Sequence, residues 1–324
     1  MKKILLCLCL LSSLFASQRV EKIVLSGPFA SVSHPFFRMI QTGALNDIAK
    51  KVEFRLWKTP DELRALVING NVDFMALPTN VAANLYNKEQ KIALLNVSIW
   101  GILGMISRDK SIKTLADFKG KKIAIPFRAD MPDIVFKELL KAQGLDHKKD
   151  FDLQYVSSPI DAIQMLILRR IDHALLIEPA ISMAIEKSKT FPMKVIAPTL
   201  YRSVDLQEEW GKVFHTQAKL PQAGIAVLEK SIEKKHIIKR FQEEYKKAIL
   251  WYKNNAKEAG VLSASYLKML DANAITSSIP NMKIDFVNAQ DSKQDLIDFF
   301  NILKKSNDKT IGGKLPNDAF YYQE

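Results

Sequence analysis

The side chains able to act on a small molecule gather in four short segments: Gly27 to Pro35, Pro78 to Asn80, Phe127 to Asp133 and Glu178 to Ala180. Arg128 offers a planar fork of donors that matches a carboxylate, sulfonate or phosphate group. Thr79 and Asn80 follow an apolar run and open a helical pattern, where free amides and a short polar side chain can take an anionic or carbonyl group. The same position equally suits a plain helix cap. Asp130 and Glu178 point to the opposite chemistry, because carboxylates accept hydrogen bonds from ring nitrogens and amines and serve a bare anion poorly. Each also has an internal alternative, Asp130 as the cap of a helix starting near Met131 and Glu178 as the partner of a lysine. Aromatic residues Phe29, His34, Phe36, Trp57, Trp100 and Phe127 lie in or beside these segments, where rings either stack on a flat heterocycle or pack in the core. The expected ligand contacts are therefore His34, Phe36, Thr79, Asn80, Trp100, Arg128, Asp130 and Glu178. No catalytic residue is assigned.

Other chemistries lack their residues. The cysteines, Cys7 and Cys9, both lie in the first ten residues, so no thiolate, disulfide or cysteine-held metal is available beyond them. The histidines, at 34, 147, 173, 215 and 236, show no HxxxH or HxH spacing. No G-x-S-x-G, Walker or G-x-G-x-x-G motif occurs, and no metal or cofactor is expected. His34 reads as a ligand contact or as a turn histidine before Pro35.

The elements that must hold the four segments are legible as a duplication. Lys22 to Leu25 (KIVL) matches Lys122 to Ile125 (KIAI) at a shift of 100, and Val52 to Trp57 (VEFRLW) matches Phe151 to Val156 (FDLQYV) at 99. Each of the second pair ends two residues before a hydroxyl-proline pair, Thr59-Pro60 or Ser158-Pro159, the signature of a capped helix start. Fourteen residues after each hydroxyl comes an aspartate, Asp73 or Asp172, and then a short apolar strand. Further helices are expected over Pro35 to Lys50 and Pro132 to Gln143. Each copy thus reads strand, helix, strand, helix, strand, which right-handed crossovers turn into a small parallel sheet covered on both faces. Asn96 to Ile106 and Gln222 to Leu228 are extended apolar stretches that can pass between the copies. The chain after them is helical in pattern, with Ile237, Phe241, Tyr245, Ala248 and Tyr252 on one face and a last helix through Leu296, Phe300 and Leu303. This predicts lobe one over 20–103 plus 225–324 and lobe two over 104–224, closing on a ligand between the carboxyl ends of their strands.

The start of the chain reads as an export signal: Met1-Lys2-Lys3, an apolar run from Ile4, and small residues around Ala16, where cleavage is expected. That run is too short for the roughly 20 residues of a membrane span. Cleavage lowers the formal charge from +12 to +10. The lysines between Glu233 and Lys257 are mixed with glutamates, which reads as a solvated surface and predicts no nucleic-acid partner.

Three further stretches carry a resemblance: Lys119 to Pro126 (KGKKIAIP), Leu176 to Ala180 (LIEPA) and Ile311 to Tyr322 (IGGKLPNDAFYY). With the export signal, the chain from about Lys22 to Tyr322 resembles solute-binding proteins of ABC importers in the nitrate, sulfonate, taurine and thiamine-precursor group. The resemblance implies an α/β periplasmic-binding-protein fold of the second type, with two similar doubly wound lobes, two crossing strands and a helical carboxyl-terminal tail. It also implies a monomeric, non-catalytic periplasmic protein that hands a small solute to a permease in the inner membrane. The acids and aromatics tilt the expected solute toward a nitrogen heterocycle such as a thiamine precursor, with a sulfonate or nitrate-type anion as the competing reading. Enzymes of the pyrimidine-precursor synthase and dehydratase types share this fold and form the alternative class.

Overall fold

The computed structural model describes residues 19–323, so the export signal and its cleavage point lie outside the described residues. The first repeat comprises β1 (Val20–Gly27), α1 (His34–Thr42), β2 (Ala49–Leu56), α2 (Pro60–Ile68) and β3 (Phe74–Pro78). It is followed by α3 (Thr79–Asn87), β4 (Ile92–Gly101) and β5 (Leu103–Ser107). The second comprises β6 (Lys122–Pro126), α4 (Met131–Ala142), β7 (Asp152–Val156), α5 (Pro159–Ile167) and β8 (His173–Ile177). Then come α6 (Ala180–Lys189), α7 (Met193–Ile196), β9 (Tyr201–Asp205), α8 (Leu206–Phe214) and β10 (Ala223–Leu228). The chain finishes with α9 (Lys235–Asn254), α10 (Ala256–Tyr266), α11 (Ala272–Ser278), β11 (Lys283–Asn288) and α12 (Lys293–Ser306).

Two sheets result, in the orders β11-β4-β10-β3-β1-β2 and β7-β6-β8-β5-β9. In each, the first strand of the repeat lies between the other two and parallel to both, and the third then pairs with an antiparallel strand, β10 or β5. The duplication is thus present at the level of topology. The ladders refine its register. Leu25 pairs with Phe54 and Phe74, and Ile123 pairs with Leu153 and His173. The first strands therefore superpose at a shift of 98 (Leu25 to Ile123), while the second and third keep 99 (Phe54 to Leu153, Phe74 to His173). A difference of two residues from the KIVL/KIAI match leaves every side chain on its expected face, since strands repeat every two residues.

The helix starts follow the capping signals. Thr59 Oγ1 accepts from Glu62 N at 3.2 Å and Ser158 Oγ accepts from Asp161 N at 3.3 Å. The helix expected over Pro35 to Lys50 stops earlier, at Thr42, because Gly43 takes a left-handed φ of 63° and its amide closes the last turn on Ile40 and Met39. Ala49 to Leu56 then joins β1 as a strand.

Asp73 and Asp172 hold equivalent places with different partners. Asp73 is buried and accepts from Val24 N at 2.7 Å, Ser231 Oγ at 2.7 Å and Lys230 Nζ at 2.8 Å, which fastens β10's exit to β1. Asp172 is half exposed and faces Arg108 Nε at 3.4 Å. Phe36 sits in the core of the first lobe against Phe241 and Tyr245, with ring centroids 6.1 and 5.4 Å away. Full burial of such a ring contributes about 1.5–3 kcal/mol. The helical tail does more than return to the first lobe: α11 packs on α6 and α12 on α4, with Lys141 Nζ donating to Ser306 Oγ at 3.4 Å.

Candidate functional site

Between the sheets lies a cavity of about 90 Å³, smaller than the ~150 Å³ cavity that admits a benzene ring. One wall is built from the first lobe: Pro28, Ala30 and Val32 after β1, Trp57 and Pro60 after β2, Pro78 at the end of β3 and Val81 in α3. The other comes from Phe127, Asp130, Met131 and Pro132 after β6 and Ile177 at the end of β8. Ile102, Leu103 and Gln222 close the back, where the chain crosses between the lobes. All four expected segments thus reach or adjoin the cavity, yet the side chains facing it are mostly apolar.

The loop after β1 approaches closely. A Cβ on Gly27 would stand 2.2 Å from Ser33 Oγ, so only glycine lets the loop fold back over β3. Opposite, Phe127 and Ala129 take left-handed φ values of 59° and 61°, a conformation costly for residues with a Cβ. Buried Asp133 holds that loop, accepting from Ala129 N at 2.7 Å, Lys137 Nζ at 2.7 Å and Tyr155 OH at 3.1 Å. The result presents Asp130 to the cavity.

Asp130 caps α4 by accepting from its neighbour Met131 N at 2.8 Å. Burial pushes its carboxyl above the usual aspartate range; the Met131 amide and the distant Arg64 oppose this, and the Asp133 charge adds to it. Among the described residues it is the one ionisable side chain in the cavity lining. Glu178 is buried elsewhere, behind the crossing strands, where it pairs with Arg202 and accepts from Ser182 N at 3.0 Å. Burial raises its carboxyl as well, against the pull of Arg202. The internal alternative for Glu178 thus holds with an arginine in place of a lysine.

This two-sheet cleft coincides with a sequence family. Residues 35–272 match the model described as ABC transporter, phosphonate, periplasmic substrate-binding protein. The chain belongs to that family. It is accordingly a periplasmic substrate-binding protein of an ABC importer, a family whose partners are a small-molecule ligand and a permease. No curated protein sequence matches it. Among solved structures, an ABC transporter protein from Parabacteroides distasonis is 23% identical, with 95% of this chain and 100% of that one covered and a TM-score of 0.76. The aliphatic sulphonate binding protein SsuA of Escherichia coli is 16% identical, with coverage of 94% and 92% and a TM-score of 0.67. The nitrate-binding protein NrtA of Synechocystis PCC 6803 is 15% identical, with coverage of 76% and 66% and a TM-score of 0.60. These likenesses show the binding-protein fold. Among the described residues, no helix is long and apolar enough to cross a membrane.

The remaining expected contacts of the binding protein are spread out. His34 is buried at the start of α1, its Nδ1 2.9 Å from Tyr252 OH and its Nε2 3.2 Å from Phe29 O; burial lowers it to about 4. With Phe36 it serves the core, because the first turn of α1 rotates both side chains away from the strand ends. Thr79 donates to Pro221 O at 2.5 Å, tying α3 to the crossing strand. Asn80 donates to Thr310 O at 3.4 Å, and its buried Oδ1 has no hydrogen-bond partner among the described residues. Trp100 bonds to Asp285 O at 3.3 Å with Lys219 4.7 Å above its ring, one strand away from the cavity. Arg128 is exposed, its guanidinium 5.1 Å from the Tyr155 ring centre. Asp130 alone of the eight lines the cavity.

Sequence reasoning passed over the glutamines at the crossing. Gln222 Oε1 accepts from Ile102 N at 3.0 Å, and its Nε2 donates to Gln207 Oε1 at 2.7 Å. Gln207 in turn takes Leu103 N at 2.9 Å and gives to Leu103 O at 2.9 Å. Both crossing segments are thereby joined side chain to backbone. The contacts that tie them to the other crossing, to Ile102 and Leu103, lie more than a hundred residues away in sequence and leave no local signal.

Proposed function

We propose that this binding protein captures a small, flat, nitrogen-bearing solute whose donor or positive group meets Asp130 while its ring lies against Trp57 and Phe127. The carrying observation is the lining among the described residues: one carboxylate, one carboxamide and otherwise apolar side chains, with no Arg, Lys or His. A sulfonate, phosphonate or nitrate moved there would lose its water beside a carboxylate with no cation in the lining, at a cost of several kcal/mol. A heterocyclic donor or an aromatic amine instead meets an acceptor that burial has left short of partners. A pyrimidine of the thiamine-precursor type has this chemistry.

Capture works as a clamp in this reading. Residues 20–103 with 225–324 form one moving body and 104–224 the other, turning about Gly101–Leu103 and Leu220–Ala223. The protein acts as an exported monomer, carries out no reaction and hands its solute to the permease. The Gln222–Gln207 pair supports this by fixing both crossings to one frame.

A thermal-shift panel tests the reading, because a ligand that binds only the native state raises the melting temperature. Aminopyrimidines and related heterocycles are expected to stabilise the protein and to reduce its radius of gyration in solution scattering. Stabilisation by methylphosphonate, alkanesulfonates or nitrate alone would refute the solute class, and stabilisation with no compaction would refute the clamp.

A further inference from the structure

A second surface lies on the far side of the second lobe from α4. The turn after α5, Leu168 to Arg170, runs beside the segment that carries α7. Arg108 Nη2 donates to Leu166 O at 2.7 Å and its Nη1 to Pro198 O, while Arg169 Nη1 donates to Ile196 O at 3.1 Å. This joint leaves four large apolar side chains in water: Phe191 is 79% exposed, Val195 70%, Leu168 62% and Ile196 54%. Their neighbours in the same two segments are cationic, namely Lys187, Lys189, Lys194, Arg169 and Arg170. No acidic residue occurs from Lys187 to Val204. Lys189 is engaged by Glu186 at 2.9 Å. Lys187, Lys194 and Arg170 make no ion pair among the described residues.

We propose that this face rests on an anionic phospholipid bilayer, with Phe191, Val195 and Ile196 seated at headgroup depth and the surrounding cations against lipid phosphates. Exposed apolar side chains at and beside a single helical turn, flanked in sequence by cations, are the pattern of interfacial insertion, in which apolar burial and attraction to anionic headgroups add. The four side chains carry no hydrogen-bonding group, and the charges around them are predominantly positive, the nearby acids Glu186 and Asp172 being paired with Lys189 and Arg108. That combination suits a layer that offers many phosphates and no fixed shape better than a folded protein partner. Loading at the cleft does not depend on this contact. Its consequence is a search for the permease along the membrane, at a raised local concentration.

The test is cosedimentation with vesicles, using protein recovered from periplasmic extracts so that every variant has the same amino terminus. Wild type is expected to sediment with phosphatidylcholine vesicles containing phosphatidylglycerol, and not with phosphatidylcholine alone. Binding should weaken about tenfold in Phe191→Ser/Ile196→Ser and about fivefold in each of Lys187→Gln and Lys194→Gln, with circular dichroism and melting temperature unchanged. Three results would overturn the proposal: no sedimentation of wild type, sedimentation that these substitutions leave unaltered, or a dimer that Phe191→Ser dissolves in the absence of any vesicle binding.

Discussion

Asp130 and Glu178 follow two neighbouring parallel strands of the second lobe, β6 and β8, and burial raises both carboxyls. Their partners separate them. Glu178 has Arg202 and the Ser182 amide, so its charge is balanced from within the protein. Asp130 has one neighbouring amide and an apolar cavity in front of it. A buried acid with its own cation is part of the frame, whereas one left short of partners beside a cavity is a place where a ligand can supply the missing group. The comparison implies that removing partners should hurt stability at Glu178 and affinity at Asp130.

The largest effect is expected at the internally balanced acid. Arg202→Met leaves Glu178 buried without a cation, and because Arg202 is 40% exposed the cost is put at about 3 kcal/mol, the low end for a broken buried pair. Urea unfolding measures it. In this variant a native-state carboxyl raised above its unfolded value loses stability as pH rises from the ordinary glutamate range, so the deficit should shrink on acidification. An unchanged deficit at low pH would mean that Glu178 is not the destabilised group.

His34 provides the opposite slope. Its native value of about 4 lies below the usual 6.5, so the unfolded chain binds the proton first. Stability should therefore fall by up to about 3 kcal/mol as pH drops through that window. His34→Gln should flatten that part of the unfolding profile, and an unaltered profile would remove His34 from the account.

At Asp130 the expected loss is in binding. Asp130→Asn should weaken a donor or cationic solute by roughly tenfold to a hundredfold in titration calorimetry. Melting should change little, since asparagine caps a helix as well as aspartate does. For a cationic solute the affinity of wild type should rise with pH through the window above the ordinary aspartate range, as the carboxyl ionises. The smallest effect belongs to Arg128→Ala, for which a change of about twofold or less is expected from an exposed side chain stacked on Tyr155.

Much of the scaffold was legible because it rests on short-range rules. Thr59 and Ser158 cap helices, the apolar stretches around Asn96 and Gln222 cross between the sheets, and equal spacing twice over announces the duplication. The segments that bound the cleft were also legible, since they follow strand ends. Which side chain in a segment faces the cavity was not. Pro35, Phe36 and Phe37 are all buried, and only the packing of α1 on α9 decides that Phe36 meets Phe241 and Tyr245 and stays out of the cavity lining. Glu178 finds Arg202 on β9 across 24 residues of sequence. Gln207 and Gln222 meet only because β5 and β10 run through the same crossing.

The most direct test of the central claim is native mass spectrometry of the binding protein recovered from its own periplasm without added ligand. The account predicts a bound small molecule that contains nitrogen and an aromatic ring, retained by wild type and lost from Asp130→Asn. A phosphonate, sulfonate or nitrate held equally by both proteins would contradict it.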